Sequence, residues 1–292
     1  MYKKIIILFF WIVGINSLTA QLSLGNDALK QNISPPPLPS EASFCGEKVP
    51  LEYFDVKESL SRELNSLTYW HSSMIYTIQL TGRYMGIIEN LLKQYGLPDD
   101  LKYLCITESN LQNVVSPAKA AGFWQFLPVT AKEFGLQITA EIDERYNLEK
   151  ATKAACEYLK MAYNKFGNWT LAAASYNVGM AHIANQTALQ KQKSYYDLHL
   201  NQETTRYIYR AVAYKIIMNA PAKYGFCISQ KNKFEPLIYK EIEVTGPIDW
   251  IAFSEKNGTN YKVLKIFNPW IMSTKLSLNK SYKVKIPIKR TY

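Results

Sequence analysis

Apolar residues recur at helical spacing through most of the chain. Between residue 49 and about residue 219 the pattern predicts helices over 57–66, 72–94, 98–109, 128–134, 148–166, 169–177 and 203–219. The punctuation between them agrees. Gly96-Leu97-Pro98-Asp99-Asp100 combines a turn glycine, a proline suited to a first helical position, and acids that complement a helix N-terminus. Phe134-Gly135 and Phe166-Gly167 read as helix ends closed by glycine. After Cys227 the period changes. Tyr239-Lys240-Glu241-Ile242-Glu243-Val244 and Tyr282-Lys283-Val284-Lys285-Ile286-Pro287 alternate as strands, and 249–256 and 259–267 between them read as short helices. The expectation is a mainly α chain, with a helical domain over 49–228 and a small α+β module, strand-helix-helix-strand, over 236–292.

The start of the chain follows other rules. Lys3 and Lys4 precede an unbroken apolar run over 5–13, and small and polar residues follow as far as Leu18-Thr19-Ala20. Residues 1–20 have the layout of a secretory signal peptide cleaved after Ala20, with a retained membrane anchor as the alternative. Residues 21–48 are polar, contain Pro35-Pro36-Pro37-Leu38-Pro39, and read as an extended linker. Removing the first twenty residues leaves 32 basic residues against 24 acidic ones, a net charge of +8. For an exported protein, of the periplasm or cell envelope, that excess fits anionic wall polymers or a membrane surface better than nucleic acid, and it also fits a solvated basic surface with no partner. Cys45, Cys105, Cys156 and Cys227 are widely spaced, and His71, His182 and His199 are scattered, so metal-ligand spacing is absent. Cys105 and Cys156 fall in apolar stripes and read as core. Cys45 and Cys227 flank the helical domain and form a conceivable disulfide pair.

The chemistry begins with the helix opened by Pro98. Leu101, Leu104, Cys105 and Glu108 share one face, and the first three mark that face as buried. A carboxylate continuing an apolar stripe either reaches water at the helix end, finds a partner, or takes a raised pKa that suits a general acid. The residues beyond Glu108 narrow the choice. Glu108-Ser109 is followed by Gly122-Phe123-Trp124-Gln125, then Ala174-Ser175-Tyr176-Asn177, then Glu203-Thr204-Thr205-Arg206-Tyr207. These four blocks, in this order over roughly residues 85–220, resemble the lytic transglycosylase family, whose lysozyme-like helical catalytic domain is related to goose-type lysozyme. The run from Gly96 through Leu104 resembles the D-type membrane-bound branch. Ser175 stands where the family usually has alanine, and Trp124 replaces the more usual methionine.

The resemblance implies that Glu108 is the sole catalytic carboxylate. It implies that Ser109 orients substrate or acid, that Gln125 binds an acetamido group, that Tyr176 and Asn177 line the cleft, and that Tyr207 hydrogen-bonds near Glu108. Most glycosidases use two carboxylates, and this motif set supplies one. In the family the missing nucleophile is the muramic acid's own C6 hydroxyl, so the expected partner is the peptidoglycan glycan strand, the product carries a 1,6-anhydro ring, and no metal or organic cofactor is required. The C-terminal module resembles a divergent LysM domain through Gly258-Thr259-Asn260-Tyr261 and Asn268-Pro269-Trp270, a peptidoglycan-binding fold, and a structural lid on the helical domain is the alternative. A goose-type-like hydrolase and a non-catalytic glycan-binding scaffold are the competing functions.

Overall fold

A computed structural model describes residues 34–277 and 279–288. The segment read as a signal peptide lies outside them. From Pro36 onward the chain forms one unit, with a helical body and a C-terminal module as its two parts.

The body is built from α1 (Phe54–Tyr69), α2 (His71–Gln94), α3 (Lys102–Ser109), α4 (Pro128–Glu133), α5 (Leu148–Phe166), α6 (Trp169–Val178), α7 (Met180–Gln190) and α8 (Gln202–Asn219). α1 buries Val56, Leu60, Leu64 and Leu67, one stripe at helical spacing, against α8. α6 is buried on nearly every side from Thr170 to Ser175. Its Ala172-Ala173-Ala174 run lets α5, α7 and α8 approach closely. Asparagine side chains at 147, 168 and 201 accept from the backbone at the starts of α5, α6 and α8. Helix α7 escapes sequence patterning because Ile183 is its one fully buried residue.

The expectation of a linker over 21–48 needs correction at its end. β1 (Ala42–Phe44) and β2 (Glu47–Val49) pair antiparallel across Cys45-Gly46, both at positive φ (55° and 81°), as a two-residue hairpin turn requires. Phe44 and Val49 enter the main core. Asp100 accepts from the Cys45 backbone at 2.7 Å and pairs with Lys215 at 2.7 Å, and Glu47 accepts from Thr170 N at 3.0 Å at the start of α6. The anion on that helix N-terminus is favourably placed. Cys45 and Cys227 do not pair, since all four described thiols are free.

In the module, β3 (Tyr239–Thr245) pairs antiparallel with β6 (Ser281–Pro287), with α9 (Trp250–Lys256) and α10 (Tyr261–Phe267) between them. Short β4 (Ile248–Asp249) and β5 (Lys275–Leu276) also pair. Tyr282, Val284 and Ile286 alternate inward onto Trp250, Leu264 and Trp270. Ile142, from the body, completes this second core. Around it the two parts are stitched by backbone: Asp143 N donates to Trp270 O at 2.9 Å, and Met272 N donates to Glu141 O at 2.8 Å. Lys285 pairs with Glu149, and the Tyr282 hydroxyl donates to Gln137 at 3.1 Å. The module is docked, not dangling. No helix among the described residues is long and apolar enough to cross a membrane.

Candidate active site

Glu108 is the penultimate residue of α3, which ends where Asn110 turns left-handed (φ 52°, ψ 36°). Its carboxyl is walled by Cys105, Tyr176 and Tyr207, while the residue as a whole is half-buried. Burial is the main reason that its pKa rises from 4.5 to about 7. The Tyr207 hydroxyl, donating to Oε1 at 2.5 Å, opposes the rise, Glu203 through space adds to it, and Arg210 opposes it. The C-terminal end of a helix also disfavours a carboxylate. Of the three outcomes open to Glu108 in the sequence, two hold together: a partner and a raised pKa.

The loop over 110–126 forms the wall beside Glu108, and its backbone is contorted. Asn110, Leu111, Lys119 and Gln125 all have positive φ, a concentration of strained residues of the kind found at functional sites. Gly122 explains one motif position sterically. Its φ is 81°, and a Cβ there would lie 1.9 Å from the Arg145 carbonyl oxygen. Arg145 itself anchors the loop. Its guanidinium donates to Lys119 O at 2.8 Å and Phe126 O at 3.1 Å, and is held by Asp143 at 2.7 Å, both side chains nearly fully buried. Gly122→Ala is therefore expected to cost about 2–4 kcal/mol in urea unfolding and to lower activity. An unchanged unfolding midpoint would contradict the close approach.

Ser109, Gln125 and Tyr176 gather around this loop in roles that are partly structural. The Ser109 hydroxyl is buried and donates to Phe123 O at 2.7 Å and Cys105 O at 3.2 Å, joining α3 to the loop. The Gln125 side-chain amide donates to Gly122 O at 2.7 Å and Val114 O at 2.9 Å, which leaves its oxygen as the group open to a ligand's N–H. The Tyr176 hydroxyl donates to Trp124 O at 2.9 Å, and its ring packs edge-on against Trp124, Phe126 and Tyr158. Trp124 is fully buried, with its indole N–H on Thr152 at 2.9 Å. Asn177 bridges α6 to the start of α8. It accepts from the Thr204 hydroxyl at 2.8 Å and donates to Glu203 at 3.4 Å.

Two features have no sequence signature. Arg145 is one; the other is buried Glu63 of α1, which holds Arg206 (2.6 Å) and Arg210 (3.4 Å) of α8. Through Arg210 this cluster reaches the electrostatics of Glu108. The carboxylates of Asp143 and Glu144 are committed to Arg145 and to Lys150 with Gln137 N.

Residues 85–199 match the transglycosylase SLT domain, and residues 240–290 match the soluble lytic transglycosylase C-terminal LysM-like domain. The chain carries an SLT transglycosylase domain followed by a LysM-like domain. It is homologous to membrane-bound lytic murein transglycosylase D. The Escherichia coli K12 protein of that name is 26% identical over 256 residues, covering 85% of this chain and 55% of that protein. The protein of that name from Escherichia coli O6:H1 strain CFT073 gives the same values. The chain thus spans about half the length of these relatives.

Proposed function

We propose that the chain is a peptidoglycan lytic transglycosylase, exported to the periplasm or cell envelope. It cleaves the β-1,4 bond between N-acetylmuramic acid and N-acetylglucosamine without water. The observation that carries this reading is one carboxyl, Glu108, enclosed by protein, hydrogen-bonded by Tyr207, and raised to about pKa 7. A scaffold that only binds glycan has no use for such a group.

The steps follow from that carboxyl. Protonated Glu108 gives its proton to the departing N-acetylglucosamine oxygen as the muramic C1–O bond breaks and positive charge gathers at C1. The resulting carboxylate takes the proton from the muramic C6 hydroxyl, whose oxygen closes on C1. The Tyr207 hydroxyl stabilises the carboxylate between the two transfers. The Gln125 side-chain oxygen accepts from the sugar's acetamido N–H, and Asn177 and Tyr176 complete the cleft wall. Ser109 acts through the loop it fastens. The domains proposed are a catalytic body over 49–228 and a peptidoglycan-binding module over 236–292.

Release of soluble fragments from purified sacculi tests this reading. The acid must be protonated to begin, so the rate is expected to hold below the pKa of Glu108 and fall as pH rises through about 7. A rate still climbing well above that pH would remove Glu108 as the acid.

A further inference from the structure

Helix α2 carries two glycines one turn apart, Gly82 and Gly86. Glycine inside a helix is destabilising relative to alanine, so each calls for a reason. Gly82 has a steric one. A Cβ there would lie 2.7 Å from the Phe234 carbonyl oxygen and 2.8 Å from Lys233 Cβ, where the chain crosses towards the module. Gly86 has no such neighbour. A Cβ would meet nothing within 4 Å, and the residue lines a cavity of about 310 Å³ between the body and the module.

That volume is at the lower end of small-ligand sites, about 300–1,000 Å³. The module contributes the half-buried rings of Tyr239 and Phe267, with Trp270 also on the lining but buried in the module core and stacked on Tyr282, and the body contributes Arg83, Asn90 and Asn113. The Arg83 guanidinium donates through Nε to Glu235 O at 3.1 Å and lies over the Phe234 ring at 5.3 Å. Among the described residues it has no carboxylate partner, whereas Lys285 on the same cavity is paired with Glu149. Asn113 spends its N–H on Tyr146 O at 3.3 Å, and its oxygen accepts no hydrogen bond among the described residues. Phe123 also lines the cavity, and its carbonyl is the one that accepts from Ser109, so the cavity backs onto the loop beside Glu108.

We propose that this cavity is a second, non-catalytic binding site that takes a peptide-bearing sugar of the peptidoglycan strand, with a carboxylate of that peptide on Arg83. The proposal rests on the function proposed above and adds to it a place where a strand is held during cleavage. Aromatic rings offer apolar faces to the C–H side of a pyranose, asparagine amides match hydroxyl and acetamido groups, and an unpaired guanidinium matches a carboxylate. Holding the polymer here raises its local concentration at the cleft. Gly86 keeps the cavity open, at the expense of helix propensity.

The test is calorimetric titration of the full chain carrying Glu108→Gln, which prevents turnover. The probes are a soluble peptide-bearing disaccharide and an N-acetylglucosamine oligomer that lacks any carboxylate. The parent is expected to bind the peptide-bearing probe at two sites. Gly86→Leu should fill the cavity, keep or raise the melting temperature, and leave one site. Arg83→Gln should weaken the second site about tenfold or more for the peptide-bearing probe and leave the neutral oligomer unchanged. Two sites persisting in folded Gly86→Leu protein, or equal losses for both probes in Arg83→Gln, would overturn the proposal. With Glu108 intact, Gly86→Leu should still cleave short soluble fragments at the parent rate. A chain that never cleaves peptidoglycan would defeat the proposed function while leaving this binding result standing.

Discussion

Glu108→Gln is expected to lower release of soluble fragments from sacculi by about 10³-fold or more, because one group performs both proton transfers and no neighbour stands in reserve. Glutamine keeps the shape and still accepts the Tyr207 hydrogen bond, so the loss reports chemistry and not collapse. The same substitution should stabilise the fold in a pH-dependent way. With a folded pKa of about 7 against 4.5 for the free group, Glu108 binds its proton more tightly in the folded state. Its contribution is complete below the unfolded pKa and is lost as pH rises through the folded one, a change of about 3 kcal/mol. Glutamine does not titrate. The variant should therefore melt several degrees above the parent at about pH 8 and together with it at about pH 4. Activity within about tenfold of the parent would mean that another group carries the reaction, and parallel melting curves at both pH values would mean that Glu108 is not held uncharged.

The long helices could be read from the sequence because their apolar stripes are continuous. Glu108 stood out because it extends such a stripe and begins a motif series. The hairpin over 42–49 was hidden because its strands are three residues each and its contribution to the core is Phe44 and Val49. Ile142 was hidden differently. It is one isoleucine in a polar segment, and its partners Trp270 and Ile271 lie more than a hundred residues away. Motif residues told which positions matter without telling how. Gly122 answers to the Arg145 carbonyl, and Ser109 and Tyr176 spend their hydroxyls on the loop. Such contacts are set by tertiary packing, which no local pattern records.

Product identity is the remaining large effect. Water surrounds the site, so a non-hydrolytic outcome requires the C6 hydroxyl to reach C1 first. A well-oriented intramolecular nucleophile has an effective concentration on the order of 10⁵ M or more, against roughly 55 M for bulk water. That margin of about three orders of magnitude decides the outcome without a second carboxylate. The carboxylate nearest in electrostatic effect, Glu203, is exposed and takes a hydrogen bond from Asn177, and Asp143 and Glu144 are held in ion pairs. The most direct measurement is the mass of the fragments released from purified peptidoglycan. The account predicts 1,6-anhydro-N-acetylmuramic ends, lighter by one water than hydrolysis products and inert to borohydride. Fragments that are mainly full-mass and reducible would contradict it and make the chain a hydrolase.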